Sequence, residues 1–146
     1  MWNNIIDGIQ CLFFCHSKER NLEESTRKTL EIAPDGSMVL RLRQGTQSSL
    51  IEFQLAPGRV SRPIFHRTVE EIWYVLEGSG VCWRKGPKGD NINALYPSVD
   101  LMIPPETPFQ FRSSPDMTLK ILCLTSPPWP GDAEAVPSQG YWNYSA

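Results

Sequence analysis

The chain has 146 residues, 40% of them hydrophobic, the size of one globular domain with a sizeable core. Its formal net charge is −2, with acidic and basic residues interleaved throughout, so it lacks the electrostatic footprint of nucleic-acid or anionic-membrane binding, and neither partner is expected. Thirteen prolines and ten glycines at short intervals exclude long helices over most of the chain and favour strands and turns.

In chain order, residues 1–25 read as an N-terminal appendage. Trp2, Ile5, Ile6, Ile9, Leu12 and Phe13 recur at helical spacing and predict a short amphipathic helix. Its opposite face is not basic, so packing on the main domain or on a second subunit is expected rather than membrane attachment. Asp7, Gly8 and Gln10 interrupt the apolar run and no positive stretch precedes it. It is therefore read as neither a secretory signal nor a membrane span, and a cytoplasmic location is expected. The polar stretch from Ser17 to Lys28 reads as a linker.

Residues 26–126 read as an all-β domain. The runs TLEIA, MVLRLR, SSLIEFQLA, EEIWYVLE, GVCWRK, DLMIP, FQFRS and LKILCLT are separated by PDG, GTQ, APG, EGSG, GPKGDN, PPET and SSPD. Short strands at such spacing predict a sandwich or barrel. Residues 127–146 form a tail too rich in proline and glycine to continue a sheet centrally; Trp129, Tyr141, Trp142 and Tyr144 suggest that it packs on the outside. Cys11, Cys15, Cys82 and Cys123 form no CxxC pair and no zinc-knuckle spacing. Cys82 and Cys123 fall in apolar strand-like runs, where a thiol serves as a small hydrophobe.

Two stretches carry chemistry. In GRVSRPIFHRTVEEIWYVLEGSG, from Gly58 to Gly80, the residues Gly58, His66, Glu71 and Gly78 stand at the spacings of a glycine, a histidine, a glutamate and a closing glycine. This stretch resembles the first sequence motif of the cupin family, with Ile64 in the slot of the first histidine. SVDLMIPPETPFQFRS, from Ser98 to Ser113, resembles the second cupin motif. Pro104 is kept there, whereas Ser98 and Glu106 occupy the glycine slots, Phe109 the histidine slot and Ser113 the asparagine slot.

The resemblance implies a double-stranded β-helix (jelly-roll) barrel, a homodimer as in many cupins, and a small-molecule ligand. The common cupin metal site takes three imidazoles and a carboxylate, of which this chain keeps one each, His66 and Glu71. Two protein ligands rarely hold a divalent transition metal firmly, so no cofactor is expected. If any metal binds, its ligands are His66 and Glu71, supplemented by Glu70, Gln54, Gln110 or a backbone carbonyl. Side chains two apart on a strand share a face. Combined with the resemblance, this implies a pocket lined by Ile64, His66, Glu71, Trp73, Phe109 and Phe111, apolar and aromatic with one imidazole and one carboxyl.

The roles implied are His66 and Glu71 as the catalytic pair, with His66 moving a proton and Glu71 orienting it, and Ile64, Trp73, Phe109 and Phe111 shaping the substrate. Arg67 and Arg112 have the opposite parity and are expected at the surface or an interface. The glycines of GSG and GPKGDN make turns, not a phosphate loop. Three readings stay open: a metal-independent isomerase, epimerase or cyclase; a binding or sensor module without turnover; and a metal-dependent enzyme with an incomplete ligand set.

Overall fold

The structure, a computed structural model, describes residues 28–144. The expected amphipathic helix within residues 1–25, with Cys11 and Cys15, lies outside the described residues. Two antiparallel sheets face each other. One has six strands in the order β1 (Leu30–Ile32), β2 (Met38–Gln44), β3 (Ser49–Leu55), β10 (Leu119–Ser126), β5 (Glu70–Glu77) and β8 (Asp100–Ile103). The other has five: β11 (Ala135–Pro137), β4 (Ile64–His66), β9 (Phe109–Ser113), β6 (Gly80–Gly86) and β7 (Gly89–Leu95). From β3 onward the chain changes sheet at every connection except that between β6 and β7, which gives the jelly-roll expected from the sequence. Among the described residues no helix is long and apolar enough to cross a membrane.

Alternation builds the core. Along β5, Glu71, Trp73 and Val75 point inward while Ile72, Tyr74 and Leu76 are exposed, and along β10 Leu119, Ile121, Cys123 and Thr125 are buried. Phe53, Trp73 and Phe111 meet at the centre with ring centroids 4.8–5.4 Å apart in tilted or edge-on geometry, the arrangement that ring quadrupoles favour. Ladder irregularities fall between Lys120 and Ile121 and between Arg41 and Arg43. Neither touches the alternation around Glu71, so the parity inferred from the sequence survives there.

Backbone geometry explains the motif glycines. Gly58 and Gly78 have φ of 68° and 76°, and a Cβ on Gly78 would overlap the Thr118 carbonyl oxygen. The two glycine slots of the second motif keep the same left-handed backbone without the glycine: Ser98 has φ 76° and Glu106 φ 60°. Their side chains are exposed, which removes crowding but not the intrinsic cost of that conformation.

Three strands lie outside the eight runs read from the sequence. β4 is legible only through the cupin motif. β7 pairs along its whole length with β6, from Gly80↔Leu95 to Gly86↔Gly89, although the sequence marks only its first residues, GDN, as part of the turn GPKGDN. Its residues are mostly exposed, so no apolar alternation marks it, and the β6 ladder supplies its order. β11, in the proline-rich tail, adds an edge strand beside β4 with Ala135 opposite His66; an edge is where a sheet tolerates proline.

Candidate functional site

β4 and β5 follow one another across a sharp corner, and that corner carries the two polar groups singled out from the sequence. Glu134, buried in the tail, holds the corner: its Oε1 accepts the backbone N–H groups of Thr68 and Val69 and the Thr68 hydroxyl. Burial pushes the Glu134 carboxyl upward, but these hydrogen bonds and nearby His66 outweigh it and hold it below the usual carboxylate range. On the other side the Glu106 N–H donates to the His66 carbonyl at 2.7 Å. His66 is thus fixed at its backbone from two directions.

The His66 ring is 2% exposed. It stands edge-on to Phe109 at 5.3 Å and to Trp129 at 5.1 Å. Its Nδ1 lies 3.7 Å from Glu71 Oε1, too far for a hydrogen bond, and has no partner of its own. Burial drives the His66 pKa down to about 4, against a smaller upward pull from Glu134, so the imidazole is neutral at pH 7.

Glu71 shows the opposite displacement. Burial raises its pKa to about 7, against hydrogen bonding from the Trp73 indole, whose Nε1 donates to Glu71 Oε2 at 2.8 Å; the Asp35 carboxyl adds to the rise and a Cys123 hydrogen bond opposes it. The carboxyl, not the imidazole, titrates near neutrality. The sequence expectation gave the proton movement to His66; the two displacements favour Glu71 instead.

These groups open onto a cavity of about 60 Å³, room for about four waters. Ile64, His66, Glu71, Trp73 and Phe109 line it. Phe111 does not: it points inward, as its parity requires, but packs behind the wall against Phe53 and Trp73. The sequence reading missed Asp35, Phe53, Trp129 and Asp132, which also contribute to the lining. Asp35 sits in the β1–β2 turn, where its Oδ1 accepts the Ser37 N–H at 2.9 Å and the Ser37 hydroxyl at 2.7 Å. Burial still lifts its pKa above the usual carboxylate value. An Asp-Gly-Ser turn is ordinary in sequence, and only its burial marks it. Trp129 comes from the tail and has no spacing signal.

The remaining sequence candidates lie elsewhere. Arg67 is exposed and bonds the Ala133 carbonyl, and Arg112 stacks on the Trp142 ring at 4.8 Å. Gln110 is fully buried on the other face of β9, where its amide donates to the carbonyls of Ser61 and Trp142 and accepts the N–H groups of Tyr141 and Trp142. Gln54 bonds Glu52. Cys82 and Cys123 are free and buried, with burial pushing Cys82 up to about 12 and Cys123 well above the usual thiol value.

Comparison with known proteins places this geometry. The chain is 33% identical over 103 residues to an uncharacterized protein of Methanocaldococcus jannaschii, an alignment spanning 67% of this chain and 79% of that one. No family model matches. Among solved structures the fold is similar to Pac13 of Streptomyces, solved with uridine, at a TM-score of 0.62 and 12% identity over 77% of this chain and 84% of the other; Pac13 is a nucleoside dehydratase. It is likewise similar to oxalate decarboxylase of Bacillus subtilis, at 0.66 and 13% over 75% of this chain and 30% of that one. These likenesses show the fold, a jelly-roll barrel of the kind the cupin resemblance implied.

Within this barrel the test of metal fit falls on the donor set. Ile64 and Phe109 turn hydrocarbon toward the space where the family pattern has imidazoles, and Glu71 is half protonated near pH 7. Gln110 spends its amide on the tail and Gln54 on Glu52. Among the described residues no group of three or more His, Cys, Asp or Glu side chains converges as a metal site. These side chains do not fit a firmly held divalent ion.

Proposed function

We propose that this barrel binds a small organic molecule and moves a proton on it without a metal, in an isomerisation, epimerisation or cyclisation. The observation that carries this reading is the Glu71–His66 pair: a carboxyl with a pKa of about 7 and a neutral imidazole, 3.7 Å apart beside an aromatic-walled cavity. A base is most effective when its pKa lies near the working pH. Glu71 as carboxylate takes a proton from carbon or oxygen beside a carbonyl of the substrate and returns it at the neighbouring position. His66, uncharged, stabilises the developing oxyanion as a donor or receives a substrate hydroxyl at Nδ1. The similarity to Pac13, whose reaction is a dehydration, supports acid–base chemistry in this fold. Given the cavity's size, only a few atoms of the substrate reach the pair; the rest lies toward the exposed mouth formed by Glu31, Ile32 and Asp132.

The test is carbon–hydrogen exchange. Sugars, hydroxyketones and cyclic ketones are incubated with the protein in D₂O, and proton NMR follows loss of the signal next to the carbonyl. With Glu71 as base, kcat/KM for a responsive compound rises with pH and levels off above about 7. Glu71→Gln lowers the exchange about a hundredfold or more. A compound that occupies the cavity and exchanges equally fast with Glu71→Gln would refute the assignment. A ligand bound without exchange of any kind identifies a binding module instead.

A further inference from the structure

The polar atoms of the cavity are unequal in kind. Three carboxyl side chains, Asp35, Glu71 and Asp132, take part in its lining, together with the unpartnered Nδ1 of His66; Arg62 acts on Asp35 from outside the lining. Among the described lining residues there is no lysine. The one arginine among them, Arg41, is clamped by Glu31, with Nε at 3.2–3.3 Å from both carboxyl oxygens and Nη2 at 2.9 Å from one. The walls between them are aromatic: Phe53, Trp73, Phe109 and Trp129. Such a cavity is rich in acceptors and poor in charged donors. A phosphate or carboxylate entering it would meet like charge with no free guanidinium or ammonium to receive it. An ammonium group finds acceptors at Glu71 and His66 and ring faces around them, the environment in which cations are held by carboxylates and π-systems together.

We propose that the ligand enters this cavity amine first, as a compact organic ammonium, and that anionic substrates are excluded. The inference rests on the reading that this cavity is where substrate binds, and it specifies the charge of the group that reaches Glu71. His66 supplies the second, independent indication: it is 2% exposed, it borders the cavity, and its Nδ1 lacks the donor that a buried acceptor requires. The 3.7 Å between Nδ1 and Glu71 Oε1 leaves room for one ligand nitrogen to donate to both. A bound cation also relieves the crowding of Glu71 and Asp35, both buried, with the Asp35 charge raising the Glu71 pKa.

The experiment uses n-propylammonium chloride as probe, with propionate and 1-propanol as matched anionic and neutral controls. Binding is read by ¹H–¹⁵N NMR at the Trp73 indole N–H, which reports directly on Glu71. At pH 8.5 propylammonium is expected to bind at least about tenfold more tightly than propanol, a margin of about 1.4 kcal/mol, and propionate is expected not to bind. The groups that face Glu71 are His66 from β4, Cys123 from β10, Cys82 from β6 and Asp35 from the β1–β2 turn. The Glu71 pKa of about 7 lies within the range tested, so lowering the pH to 5.5 weakens propylammonium about 30-fold as the carboxylate fraction falls. Glu71→Gln weakens it at least about tenfold at pH 8.5 with amide dispersion unchanged, which separates lost binding from lost fold.

Equal or tighter binding of propionate or propanol, or no change at the Trp73 indole with propylammonium, overturns the proposal. If propylammonium binds while no compound exchanges, only the proton-transfer reading fails. If a neutral ketone exchanges while propylammonium is rejected, only the ammonium inference fails.

Discussion

The opposed displacements of His66 and Glu71 have a consequence for stability that neither group shows alone. In the unfolded chain between pH 4.5 and 6.5 the pair carries one proton, on the histidine, because the ordinary values are 6.5 for His66 and 4.5 for Glu71. In the folded protein it also carries one proton over that interval, but on Glu71, since the pKa values are about 4 and about 7. Stability varies with pH only where the two states bind different numbers of protons, so the pair contributes almost no slope between pH 4.5 and 6.5. Removing either member exposes the other.

In Glu71→Gln only His66 remains. Its folded pKa is depressed, so its contribution is present above 6.5 and is lost as pH falls toward about 4. An interval of about 2.5 on the pH scale corresponds to about 3 kcal/mol. In His66→Asn only Glu71 remains. Its folded pKa is raised, so its contribution is present below 4.5 and is lost as pH rises through about 7, again by about 3 kcal/mol and with the opposite sign. Urea unfolding of the parent protein and both variants at pH 4.5, 5.5, 6.5 and 7.5 measures the slopes. Relative to the parent, Glu71→Gln must gain stability with rising pH and His66→Asn must lose it. Parallel curves for all three proteins would show that neither side chain changes its proton affinity on folding.

Four further outcomes are expected. Thr125→Val replaces a fully buried hydroxyl that has no hydrogen-bond partner by a methyl of similar shape and should stabilise the protein by about 1 kcal/mol in urea unfolding. Gln110→Ala removes the amide that bonds Ser61, Tyr141 and Trp142 and should cost about 3 kcal/mol, with limited proteolysis shifting into residues 127–144; a protease-resistant tail would argue against this anchor. Trp129→Ala opens the ring contact over His66 and should move the His66 pKa from about 4 toward 6.5 in an NMR titration, because burial is its main cause. Glu106→Gly relieves a left-handed backbone at φ 60° while keeping the N–H bond to the His66 carbonyl, and a thermal melt should show a gain of up to about 1 kcal/mol.

Legibility followed the range of the interaction. EEIWYVLE and LKILCLT announced half-buried strands because their apolar residues alternate, and β5 and β10 keep that alternation in the barrel. The inward parity of Ile64, His66, Glu71, Trp73 and Phe109 followed from the same period combined with the cupin resemblance, and all five border one cavity. Phe111 obeyed the parity yet lies behind the wall, since the period says which face a side chain takes and nothing of how deep it sits. Asp35 and Trp129 come from segments far from the motifs in sequence, and no local pattern marks a turn aspartate or a tail tryptophan for the mouth of a cavity. β7 was invisible because strands exposed on both faces carry no alternation, and its order comes from pairing with β6.

By itself the sequence determined an all-β sandwich or barrel, because that depends on side-chain type and on periods of two residues; the jelly-roll class, the turns at Gly58 and Gly78 and the apolar Ile64 and Phe109 in the histidine slots followed from the resemblance of its two motifs to those of cupins. Only the tertiary structure decided which member of the pair titrates near neutrality. Proton affinity in a cavity depends on desolvation and on neighbours brought from across the chain: Glu134 from the tail beside His66, and Asp35 from the β1–β2 turn near Glu71. Burial acts against the charged form in both cases, so it lowers the imidazole and raises the carboxyl, and the proton that the unfolded chain keeps on His66 passes to Glu71 when the barrel closes.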